Sequence, residues 1–195
     1  MYASTIFVAF LSLTQFVFVN AEFGNRNHLR HLESGDSADS ADSGSSRSAI
    51  IKSTTIDFMV KAKGEQEIPS VSTHTKANLK LSFDKGFTKA LFWLDVYDGK
   101  AITQVHLHCG LAGENGPVLA TLYKVAPVPG PGGKDIHGRA SKGALKNADI
   151  SVKTCGDTHV NNIASLYEAI LSRRVYVNVH SEKNPSGEVR GQIFH

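Results

Sequence analysis

The chain has 195 residues and a net charge of only +3, with its lysines and arginines spread along the sequence, so it lacks the clustered basic block of a nucleic-acid-binding protein. A mildly basic surface is compatible with acidic polysaccharides or phospholipid head groups, against the ordinary reading of scattered, solvated charge. Hydrophobic residues make up 41% of the chain, enough for one real core.

The first element is apolar. Ile6-Phe7-Val8-Ala9-Phe10-Leu11 and Phe16-Val17-Phe18-Val19 are too short, and too soon followed by polar sequence, for a stable membrane span. They read as the core of a signal peptide over residues 1–21, cleaved after Ala21, because Val19-Asn20-Ala21 offers small or short residues at the positions a signal peptidase inspects. No Lys or Arg precedes the run, which leaves the α-amino group as its positive end. Residues 22–49 are rich in Gly, Asn, Ser and Asp, with the near-repeat Asp36-Ser37-Ala38-Asp39-Ser40-Ala41-Asp42-Ser43. Such a segment buries too little to offset the entropy of ordering it and is expected to be a disordered linker. Residues 50–195 then form one domain, and no second long apolar segment follows Arg190, so the mature chain is expected to be secreted without stable membrane insertion.

Within that domain the apolar period is mostly two. Ile56, Phe58 and Val60 alternate with Asp57, Met59 and Lys61, and Ala77, Leu79, Leu81 and Phe83 alternate with Lys76, Asn78, Lys80 and Ser82. Asp84-Lys85-Gly86 predicts a tight turn, and Ala90, Phe92, Leu94 and Val96 a third core-facing strand. Asp98-Gly99 predicts a further turn, leading into a hairpin made of Val105-His106-Leu107-His108-Cys109 and the run from Val118 to Tyr123. Pro127 to Gly133 reads as a long surface loop, since its prolines lack donors and its glycines lack side chains to pack. Ile163, Leu166, Ile170 and Leu171 stand at helical spacing and predict a short helix over residues 160–172. Val175, Val177 and Val179 restore strand alternation, Asn184-Pro185-Ser186-Gly187 turns, and Val189 and Ile193 make the last strand. The fold class is all-β, an antiparallel Greek-key sandwich or barrel with one short helix.

His106 and His108 are two apart in a strand and so project from the same face. His180 follows Tyr176 and Asn178 on the face opposite the valines of its own strand. If the two strands are neighbours, the three imidazoles form one site suited to zinc or copper(II), with Asn178 or Glu188 available to fix a ring orientation. The ordinary alternative is that the histidines hydrogen-bond backbone and tyrosine groups at a barrel rim. Glu188 and Arg190 share a strand face and could pair with each other or across strands. Cys109 and Cys155 are the only cysteines in a chain expected to enter an oxidising compartment, so a disulfide between them is predicted.

Glu65-Gln66-Glu67-Ile68-Pro69, the segment from Val105 through Gly116-Pro117-Val118, and Tyr176-Val177-Asn178-Val179-His180 followed by Pro185-Ser186-Gly187-Glu188-Val189-Arg190-Gly191-Gln192 resemble the CHRD domain in order and spacing. The resemblance covers nearly all of the chain from Ile56 to Phe194. It implies an immunoglobulin-like β-barrel distantly similar to copper/zinc superoxide dismutase, and no established activity. The family's Gly-Glu-hydrophobic-Arg signature falls on Gly187, Glu188, Val189 and Arg190, but Gly191-Gln192 stands where chordin's repeats continue with a cysteine, which puts growth-factor binding in doubt. Two function classes follow. One is a secreted module that binds an extracellular protein or ligand, with a histidine-lined site for a metal; the other is a superoxide dismutase-like metalloenzyme. The second is short of ligands, since a dinuclear copper/zinc centre needs a bridging His and further ligands from one loop, where this chain offers only Asp135 and His137.

Overall fold

The alternating patterns fold as read. A computed structural model describes residues 55–126 and 132–194, so the expected signal peptide and linker, and most of the proline-rich loop after Tyr123, lie outside the described residues. β1 (Thr55–Lys63) and β2 (Lys76–Asp84) pair in antiparallel register from Thr55 opposite Asp84 to Lys63 opposite Lys76. Their inward residues Phe58, Val60, Ala62, Ala77, Leu79, Leu81 and Phe83 are buried. Burial of this kind removes roughly 1.5–3 kcal/mol of apolar exposure per large side chain. Phe58 and Phe83 meet edge to face at 5.8 Å, and Tyr167 packs on Phe83 at 5.4 Å.

β3 (Lys89–Cys109) is the long wall of the molecule, and here the turn expected at Asp98-Gly99 is corrected. The chain does not reverse. Asp98 and Ala101 take left-handed φ values of 53° and 46°, and the register against the next strand shifts on both sides of Gly99. Two such irregularities bend a strand without ending it. The first half of β3 pairs with β2 and with β5 (Lys134–Lys146), while the second half pairs with β4 (Val118–Lys124) and β8 (Val175–Ser181). β9 (Val189–Ile193) lies between β8 and β1, so the sheet closes on itself through the bent strand. The order β2-β1-β9-β8-β3-β4 places the last strand beside the first, as a Greek-key barrel requires.

The sequence did not signal β5. Asp135 and His137 sit in it rather than in a loop; most of its residues are exposed, and those that pack on the core, Ile136, Ala140 and Leu145, are too sparse among glycines and polar residues to give a period-two apolar signal. The helix is shorter than expected: α1 spans Ile163–Leu171, capped by Asn162, whose side chain accepts from the Ser165 backbone N–H at 2.8 Å. The residues before it form a small hairpin of β6 (Lys153–Cys155) and β7 (Thr158–Val160). Cys155 in that hairpin is disulfide-bonded to Cys109 at the end of β3, as predicted.

Candidate metal centre

Register decides which side chains meet. β3 and β8 are adjacent, with Gln104 opposite His180, His106 opposite Asn178 and His108 opposite Tyr176; β9 adds Arg190 beside Asn178 and Gln192 beside Tyr176. Val105, Leu107, Val177, Val179 and Val189 therefore face the barrel core, and the polar set projects outward. It is nevertheless buried, because the segments around Glu67 and Gly116 fold over it: His106 and His108 are 8% exposed, His180 6% and Arg190 1%.

The ligand nitrogens of His106, His108 and His180 lie within 4.8 Å of one another. His106 Nδ1 and His180 Nε2 are 3.3 Å apart, the edge length of a tetrahedron with metal–nitrogen bonds of about 2.0–2.1 Å. Two rings are oriented by backbone carbonyls: Nδ1 of His108 faces Gly116 O at 2.9 Å, and Nδ1 of His180 faces Pro185 O at 3.0 Å. A carbonyl only accepts, so each Nδ1 carries the proton and each Nε2 keeps its lone pair. That outer bond fixes the tautomer in the way metal-binding histidines require. Nε2 of His108 is buried and has no hydrogen-bond partner in the protein.

All three rings are held neutral. Burial, with the neighbouring His180 and His108, lowers His106 to about 4, and burial likewise lowers His108 and His180 below the usual imidazole value. Neutral imidazole is the ligand form, so the cluster can accept a metal ion at physiological pH.

The ring-orienting partners are carbonyls rather than Asn178 or Glu188. Asn178 Nδ2 is directed to Glu67 Oε2 at 3.5 Å instead. Glu188 accepts from Thr73, Asn184 and Ser181; burial alone would raise its carboxyl, but these hydrogen bonds outweigh it and hold the group below its ordinary value. Arg190 does not pair with Glu188 either. Its guanidinium lies 3.5 Å from the centre of the Tyr176 ring and donates to Leu111 O at 2.8 Å and Asn115 Oδ1 at 3.2 Å. On the β3 side the Tyr176 ring stacks on His108 at 5.1 Å with planes 15° apart, and its hydroxyl accepts from Gly116 N–H at 3.1 Å. Arg190, Tyr176 and His108 thus form one stack whose far end is a candidate ligand.

Sequence reasoning placed Tyr176 on the face of Asn178 and His180 and met Glu67 and Gly116 only within the family motifs, giving none of the three a role in the site. Glu67 is placed by a loop, and no strand period could reveal it: burial raises its carboxyl to about 7, and its Oε1, like Asn178 Oδ1, has no partner. Gly116 is required by close approach, since a Cβ there would collide with the Cys109 carbonyl.

Asp135 and His137 take no part in this cluster; Asp135 pairs with Lys100 at 2.7 Å and His137 with Asp98 at 3.3 Å. Among the described residues no helix is long and apolar enough to cross a membrane.

No curated protein and no solved structure matches the chain. The model of the CHRD domain matches residues 58–193, a span that begins in β1, ends at the last residue of β9 and contains every member of the histidine cluster and its supports. By that match, the chain belongs to the CHRD domain family.

Proposed function

We propose that this chain is a secreted binding module whose His106, His108 and His180 hold one transition metal ion, zinc or copper. The observation that carries the reading is the His108 ring: its Nδ1 is bonded to Gly116 O while its Nε2 is buried, partnerless and beside two other imidazole nitrogens. A buried acceptor left unmade costs about 1–3 kcal/mol, and a metal ion would satisfy it. The disulfide supports residence in an oxidising, extracytoplasmic compartment. A superoxide dismutase-like enzyme is the competing reading, and it calls for a second ion with ligands of its own. Asp135 and His137, the residues the sequence offered for that role, are engaged on β5 with Lys100 and Asp98.

The test is calorimetric titration of the purified protein with zinc and with copper, beside a His106→Ala, His108→Ala double variant. One ion per chain bound by the parent and lost in the variant is the expected result. Equal affinity in the two proteins, or none in either, ends the proposal. Superoxide consumption by the copper-loaded protein above that of its metal-free form would favour the enzyme.

A further inference from the structure

A second surface lies outside the histidine cluster and owes nothing to it. The outward faces of β1, β2, the first half of β3 and β5 form one continuous plate whose rows are set by register. One row runs Met59, Lys80, Trp93, Lys142; the next runs Lys61, Asn78, Asp95, Arg139; a third begins Lys63, Lys76, Tyr97. Lys63 stands directly opposite Lys76, and at the other end of the plate Lys89 stands directly opposite Lys146. Like charges in that position are destabilising in the absence of a counter-charge. The plate's carboxylates are already engaged: Asp57 with Lys80 at 2.8 Å, Asp95 with Arg139 at 2.5 Å, Asp135 with Lys100 at 2.7 Å, and Asp84 with Thr88 and the Lys89 backbone N–H. Among the described residues no carboxylate forms an ion pair with Lys61, Lys63, Lys76, Lys89, Lys142 or Lys146. The sequence shows none of this, because the lysines are scattered along it and only the strand register gathers them.

Two aromatic rings stand among these cations. Trp93 and Tyr97 are four residues apart on one strand face, hence about 13 Å apart, and both are partly exposed. Lys80 Nζ lies 5.4 Å from the Trp93 ring centre, and Tyr97 meets His137 edge to face at 5.7 Å. Beside Tyr97 a polar groove of about 910 Å³ brings together Lys61, Lys63 and Lys76 with the acidic Glu65 and Asp98, the latter facing His137, so its cations outnumber its carboxylates by three to two.

We propose that this plate binds an acidic polysaccharide, its lysines meeting the carboxylate or sulfate groups and Trp93 and Tyr97 stacking on sugar rings. A four-stranded face is too broad for the major groove of duplex DNA, which admits a helix or a two-stranded ribbon. In the oxidising compartment that the Cys109–Cys155 bond fits, acidic glycans are the polyanions on offer.

The experiment measures binding of the full chain to heparin fragments and to polygalacturonate, at low and at physiological salt, beside a single-stranded oligonucleotide of matched charge. Lys63→Glu with Lys76→Glu is expected to weaken glycan binding about tenfold, and Trp93→Ala to weaken it without removing the salt dependence. The His106→Ala, His108→Ala variant should bind the glycans as the parent does, which separates this surface from the metal proposal. Thermal midpoints of the lysine and tryptophan variants within a few degrees of the parent confirm that the fold is kept; should one be lowered further, Lys142→Glu takes its place. Absence of glycan binding by the parent overturns the inference, as does a preference for the oligonucleotide or glycan binding indifferent to both the lysine and the Trp93 changes.

Discussion

Replacing Cys109 and Cys155 together with alanine removes a covalent closure between residues 46 apart in the sequence. In the chain-entropy relation a loop of that length withdraws about 4 kcal/mol of conformational freedom from the unfolded state at 25 °C. Both sulfurs are buried, Cys155 completely and Cys109 with 7% exposed, so alanine avoids setting a hydroxyl in an apolar place. For a domain of this size the loss corresponds to a fall in Tm of about 10–15 °C. Urea unfolding of the oxidised parent beside the variant measures it. The m value should rise in the variant, because its unfolded chain is more expanded. Zinc affinity should change less than tenfold, since the register that sets the histidines, Cys109 opposite Val175 included, is carried by backbone pairing. A stability difference below about 1 kcal/mol would refute the reasoning, for the bond would then constrain nothing the fold does not already hold.

Gly116→Ala should cost about 10–100-fold in zinc affinity with the ligands untouched, because a Cβ there meets the Cys109 carbonyl and shifts the carbonyl that orients His108; calorimetry reads it. Glu67→Gln should stabilise the protein at pH 8 relative to pH 5. The folded carboxyl is raised to about 7 from an ordinary 4.5, so the parent's stability is fully present below 4.5 and lost as pH rises through 7, and glutamine abolishes that slope in paired thermal melts. The sign is opposite for His106, lowered to about 4. Between pH 6.5 and 4 the unfolded chain takes up the proton while the folded chain does not, so the metal-free protein loses stability on acidification, and His106→Gln should flatten that limb of the pH profile. Zinc should leave the parent over the same acid range, because protons compete for the ligand lone pairs, as a chromogenic chelator would record.

The strands were legible wherever one face is buried and the other wet. β1, β2 and the first half of β3 alternate in sequence as they do in burial; β8 alternates in sequence although both its faces are buried, and the His-x-His pair could be assigned one face from period alone. Their meeting with His180 depended on β3 and β8 being neighbours, which is topology and not pattern. β5 escaped because its core-facing side offers only Ile136, Ala140 and Leu145, spaced by glycines and polar residues, and the rest of it is exposed. Asp98 misled because a left-handed residue inside a strand and one in a hairpin turn carry the same local preference, and only the presence of partner strands on both sides of the bend separates them. Backbone partners for the rings were foreseen as a kind but not by residue, for a different reason: the groups that orient His108 and His180 are main-chain carbonyls, which every residue possesses and no residue type advertises.

Trp93 is the chain's one tryptophan, and it stands on the outer plate with the core behind it. The indole emission of this protein is therefore an optical report on that surface and not on the interior. Being half-buried, it should shift further to the red on unfolding, and in the native state it should respond to whatever settles among the lysines beside it. The barrel's own integrity is recorded elsewhere, in the near-ultraviolet circular dichroism of Tyr176 and of Tyr167 with the phenylalanines packed around it, so a single sample carries two spectroscopic channels, one for occupancy and one for fold.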